Sequence, residues 1–180
     1  DVGILKAKPR YEAGAGLLLS SYRKAVGGGR PPREYSAGNK LFTFQYPPRD
    51  YQLLADISLA ALKSGRDAET LAREAGYRIG EKAIAAAGLK PGTVRNKKLV
   101  ASLKKLIEDQ GLFARVTTSA DGGLEVRAFN CIFKELSAKY ANLVCGIHRQ
   151  LFTGLCESYF GKVEVTSDFE IAEGGKSCKF

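Results

Sequence analysis

Four cysteines and one histidine are the residues of this 180-residue chain best placed to do chemistry. Cys131, Cys145, Cys156 and Cys178 all fall in the last fifty positions, and His148 falls among them. Thiolates and imidazole nitrogens are the ligands that zinc and iron–sulfur clusters take. Cys145 and His148 stand three residues apart, a spacing that puts both side chains on one face of a helix. Cys156 returns to nearly the same angular face eleven residues later. The helix has by then risen about 16 Å, too far for both thiols to share one ion. Cys156 is therefore expected to pack as a small hydrophobe beside Ile147, Leu151, Phe152, Leu155 and Tyr159. Cys131 precedes a helix and Cys178 follows a Gly-Gly turn, positions where thiols are accessible. Cys131, Cys145, His148 and Cys178 thus form a candidate metal set, for zinc or an iron–sulfur cluster. The competing reading of His148 is a hydrogen-bonded structural histidine within an apolar arc. A pocket for a small organic effector is expected between the last two helices and the sheet, lined by Phe133, Tyr140, Phe152 and Tyr159.

Enzyme chemistry is not expected. No nucleophile elbow accompanies His148, and Walker and Rossmann fingerprints are absent. The catalytic alternative would use Cys131 or Cys145 as a nucleophile. Four cysteines are too few for a disulfide scaffold of this length, which points to reduced thiols and a cytoplasmic location. No apolar run reaches the roughly 18–20 residues of a membrane span, and no signal peptide is read at the start, so no membrane partner is expected. With 44% hydrophobic and 26% charged residues, the composition is that of a globular protein.

The net charge of +9 is unevenly spread. Residues 1–46 hold eight basic side chains against three acidic ones, a net +5 in a quarter of the length. Such a concentration suits a polyanion, because each cation that meets a phosphate releases condensed counterions. The strand-like run Gly16–Val26, the turn Gly27-Gly28-Gly29-Arg30-Pro31-Pro32 and the return run Arg33–Ala37 predict a β-hairpin. Arg30 would sit at its tip, with Arg23, Lys24 and Arg33 on its legs. An arginine on a narrow Gly/Pro-rich tip suits a DNA minor groove. Without a following Lys-Ser/Thr or helix, the turn is not a phosphate-binding loop.

Further elements must position the thiols and the pocket. Asp50 should cap a helix over 51–63 and Asp67 a second over 68–87. In the second, Leu71, Ala75, Ile79 and Ala83 mark the inward face. A third helix, about 96–110, turns Leu99, Leu103, Leu106 and Ile107 inward and Lys97, Lys98, Lys104 and Lys105 outward as a wet face. A hairpin over 112–129 turns at Asp121-Gly122. Helices over 132–139 and 142–160 follow, then an extended run 163–171 and an edge segment at 177–180. The expected class is α+β, with helices on an antiparallel sheet. The expected organisation is a basic hairpin region at 1–46, a linker helix at 47–66 and an α+β domain at 67–180.

The Gly16-Leu17-Leu18 entry, the basic hairpin and the Gly-Gly-Arg-Pro-Pro-Arg-Glu-Tyr run resemble the wing of bacterial winged helix-turn-helix regulators of the ArsR/MarR kind. Asn130-Cys131-Ile132-Phe133, Leu143-Val144-Cys145-Gly146-Ile147-His148 and the closing Gly-Lys-Ser-Cys-Lys-Phe resemble the sensor region of the predicted regulators that include the iron–sulfur-biogenesis (suf-operon) repressors. The resemblance covers about residues 16–180. It implies a homodimer on double-stranded DNA, with a partial winged helix-turn-helix domain at 1–46, a linker and dimerisation helix at 47–66, an effector-sensing domain at 67–180, and Cys131, Cys145 and Cys178 at cluster-ligand positions. Two departures stand out: Ile132 replaces the Pro after the first Cys, and no Cys stands near Gly161 or Lys162. The resemblance also implies a recognition helix ahead of the wing. Asp1–Ala15 is too short for it, and the lack of Met is in keeping with a fragment. The reading is a dimeric transcriptional regulator with a ligand-, metal- or redox-sensing domain. The alternative is a stand-alone small-molecule or metal-binding module without DNA binding.

Overall fold

Three helix starts in this chain are set by short polar side chains that satisfy unpaired backbone N–H groups. In the computed structural model, which describes residues 18–23, 31, 33–38, 45–119 and 122–180, Asp50 accepts from the Leu53 N–H and opens α1, Tyr51–Ser64. Asp67 accepts from Thr70 and opens α2, Ala68–Ala86. Asn96 accepts from Lys98 and Leu99 and opens α3, Lys97–Asp109. Gly65 ends α1 in the left-handed conformation, at φ 67°.

The described residues form an α+β structure of five α-helices and two small antiparallel sheets. The chain divides into two compact units, Asp1–Phe44 and Gln45–Phe180. In the first, β1 (Leu18–Tyr22) pairs with β2 (Arg33–Ala37) in antiparallel register, Tyr22 opposite Arg33. In the second, β3 (Ala114–Thr118), β4 (Leu124–Ala128) and β5 (Cys178–Lys179) make a three-stranded sheet in that order. The helices α4 (Lys134–Lys139) and α5 (Ala141–Phe160) complete it. The expected extended run 163–171 does not join the sheet as a strand. Only Asp168 bridges Lys179, and Glu170–Glu173 forms a 3-10 turn that buries Ile171. Residues 51–64, read as a linker helix, fold within the second unit, with Leu54 and Ile57 in its core.

That core is organised by α2 lying along α5. Thirteen of the twenty residues of α5 are buried, which makes it the central helix of the unit. The two helices run in the same direction, since Glu69 lies over Gly146, Arg73 over Gly154, and Gly80 against Ser158. The buried stripe of α2 is Ala72, Gly76, Gly80 and Ile84. This is one position round from the expected Leu71, Ala75, Ile79 and Ala83, which flank the core half-buried. Two glycines decide the rotation, because they allow backbone to approach backbone. A methyl group on Gly76 would lie 1.9 Å from the Leu151 carbonyl oxygen, and one on Gly154 would lie 1.8 Å from that of Arg73. Arg73 then clamps Glu157 through both oxygens, with Nε at 2.8 Å from Oε2.

Gly→Ala inside a helix ordinarily gains about 1 kcal/mol, so a loss here would report the close approach. Gly154→Ala is expected to lower unfolding stability by about 1–3 kcal/mol, the usual cost of overpacking a filled core. Urea denaturation followed by circular dichroism measures it.

Candidate functional site

In the first unit the described strands are exposed along nearly their whole length. Arg23 pairs with Glu34 at 2.6 Å. The Arg33 guanidinium lies 5.1 Å from the centre of the Tyr22 ring. Both cations reach solvent from the hairpin legs. Lys24 and Arg30 lie outside the described residues.

In the second unit the four cysteines are free thiols, and all are buried. Burial raises every one of them above the ordinary thiol range: Cys178 to about 11 and Cys156 to about 12, with Cys131 and Cys145 shifted the same way. Three of them also act on one another. Charge on Cys131 opposes ionisation of Cys145, and charge on both opposes ionisation of Cys178, with Glu173 and Glu170 adding to the effect. The fold therefore gathers Cys131, Cys145 and Cys178 into one neighbourhood, while Cys156 packs in the apolar core as its spacing suggests. Gathering is not ligation. Among the described residues no three His, Cys, Asp or Glu side chains are grouped so as to hold a metal ion.

His148 goes elsewhere. It is buried, and its ring meets the edges of Phe133 and Phe180, each at 5.4 Å between centroids. With Gln110 it lines a void of about 30 Å³, enough for a water molecule. Burial alone lowers its pKa to about 4, so the ring is neutral at physiological pH.

The expected ligand pocket is redrawn. Phe133 is fully buried against His148, and Tyr159 is fully buried with its hydroxyl 3.1 Å from that of Ser102. Tyr140 is half exposed where α4 meets α5. Of the four, Phe152 lines the void beside His148 and also a second, larger cavity. That cavity is a cleft of about 270 Å³ between the C-terminal half of α5, the sheet and residues 163–166. Leu103, Val126, Phe152, Cys156, Phe160 and Val165 give it apolar walls, and Glu164 and Thr166 stand exposed among its lining. Aromatic spacing along α5 pointed to the right helix, but the strands supply most of the opposite wall.

A polar knot that sequence reading missed joins the start of the second unit to the thiol region. Arg49 grips Glu135 through both carboxylate oxygens, at 2.8 and 3.0 Å, and donates to Asn130 Oδ1 at 2.8 Å. Tyr51 also donates to Glu135. Asn130 Nδ2 donates to the carbonyls of Pro48 and Gly111. The Arg49 bond holds the Glu135 carboxyl down at about 2. In the fold the Pro-Pro-Arg-Asp run of residues 47–50 acts as a clamp. No family model, curated protein or solved structure matches the chain.

Two predictions follow from these environments. His148 has a folded pKa of about 4 against about 6.5 unfolded. Its neutral burial therefore contributes stability above pH 6.5, and that contribution is lost as pH falls through 4. His148→Leu is expected to flatten the acid limb of a stability-against-pH curve over that window. The thiols should react slowly with a disulfide reagent near neutral pH in the native protein and rapidly once unfolded, which a spectrophotometric thiol assay with and without guanidinium checks.

Proposed function

We propose that the chain belongs to a dimeric transcriptional regulator that binds double-stranded DNA through its first unit and senses a small molecule through its second. The observation that carries this reading is the hairpin of β1 and β2. Its strands bury almost nothing, although an isolated two-stranded hairpin is at best marginally stable. It lies in the stretch that holds +5 of the +9 net charge. Strands so exposed, set in a stretch of sequence so rich in cations, are suited to an anionic partner outside the molecule.

The second half of the reading rests on the apolar cleft. At about 270 Å³ it exceeds the roughly 150 Å³ cavity that takes benzene in an engineered protein. An apolar organic effector fits it better than a metal fits the thiols. The dimer is supported by α1, where Leu59 and Leu62 are 63% and 81% exposed. With Gln52 and Ala55 they keep the 3-4 spacing of a helix-pairing seam.

Gel shifts on the chain's own promoter, at graded salt, test the reading. Binding is expected to weaken steeply with salt, and Arg33→Gln is expected to weaken it across sequences and to lower the salt slope by about 1. Salt-independent binding, or none at low salt, would leave the second unit as a stand-alone ligand-binding module.

A further inference from the structure

The register of the three-stranded sheet sets a row of cations across its outer face. Arg115 on β3 stands opposite Arg127 on β4, and Arg127 stands opposite Lys179 on β5. All three are exposed. Like charges directly opposite one another destabilise a sheet, so the fold gains nothing from this row. One carboxylate answers it: Glu125 lies 2.9 Å from Lys179 and 3.8 Å from Arg127. Arg115 has no ion-pair partner among the described residues. Two residues beyond Arg127 is Phe129, 46% exposed. Arg115, Thr117, Glu125, Arg127 and Phe129 together line a shallow concavity of about 500 Å³.

We infer that this sheet face is a binding surface for single-stranded nucleic acid. Charge complementarity selects an anion, and guanidinium groups are the side chains best matched to phosphate oxygens. Adjacent strands are about 4.8 Å apart, so neighbouring cations can follow a backbone that crosses them. Phe129 adds a flat apolar face beside that path. Phosphate and planar base, side by side, are what a nucleotide unit offers and an acidic peptide does not. A duplex keeps its bases stacked inside, whereas a single strand can turn one onto an aromatic ring. The face is open, so a strand can pass across it without being enclosed. This surface belongs to the second unit and does not depend on the duplex reading.

Fluorescence anisotropy with the full chain and a labelled single-stranded oligonucleotide tests the inference, with the same sequence as duplex and a free mononucleotide as competitors. Arg115→Gln/Arg127→Gln is expected to weaken single-strand binding about tenfold or more and to lower the log–log salt slope by about 1.4, or 0.7 per lost contact. Its melting temperature should hold or rise, because a repulsive pair has gone. Phe129→Leu should weaken single-strand binding with the salt slope unchanged. Lys104→Gln/Lys105→Gln removes the same charge from α3 and should leave affinity within about twofold. The inference is overturned if the sheet variants bind as well as the parent chain. It is equally overturned if the duplex or the mononucleotide competes as strongly as the single strand, or if the double variant changes oligomeric state instead of binding.

Discussion

The second unit depends on two helix backbones being allowed to touch. Gly76 and Gly80 on α2 and Gly146 and Gly154 on α5 remove the side chains that would hold the helices at an ordinary separation. Interhelical distances of 8–10 Å are set by the side chains between the axes, and glycine removes them. Close contact then brings dispersion along the whole interface, which repays the roughly 1 kcal/mol that each glycine costs a helix interior. Alignment of two parallel helices also sets their positive N-terminal ends side by side. Glu69 lies over Gly146 near that end, and Arg149 reaches to within 3.9 Å of it, so charge is balanced where the dipoles oppose the pairing.

From this pair the remaining elements take their places. α5 buries residues around nearly its whole circumference, with α2 on one side and the sheet on another. The apolar cleft arises where α5 ends against the strands and the 163–166 segment. The three thiols gather where the start of α4, the first turns of α5 and the edge strand β5 come together. The Arg49–Glu135–Asn130 knot ties the entry of the unit to that same region, so strain applied at residues 47–50 would be felt beside Cys131.

The class of fold and most element boundaries were legible in the sequence, and the reasons are local. Asp50, Asp67 and Asn96 announce helix starts, and Gly65 announces an end, because caps act through neighbouring backbone atoms. The face of α2 was not legible. Glycine inside a helical pattern reads as a defect until the partner helix is known, so the stripe was assigned to the larger side chains. The pocket was half legible, since Phe152 was found and the strand residues opposite were not. The apolar arc around His148 was legible, while its ring neighbours Phe133 and Phe180 were not, because helical spacing says nothing of which side chains from other elements surround a face. The cation row became visible only with the strand register, which pairs residues fifty or more positions apart at Arg127 and Lys179.

The parallel alignment of α2 and α5 carries a consequence for how this chain is made. Arg73 and Glu157 meet across 84 residues of sequence, and two helices pointing the same way cannot be joined by a short hairpin. Everything from α3 to α4 must be laid down before the second partner exists. During synthesis α2 leaves the ribosome early, its glycine-lined side exposed and its own helix propensity reduced, and stays unpaired until Phe160 has been added. Contacts of such long sequence separation slow folding, and exposed apolar surface in the interval favours aggregation. The late arrival of α5 therefore makes its synthesis the step that commits the whole unit to its native state.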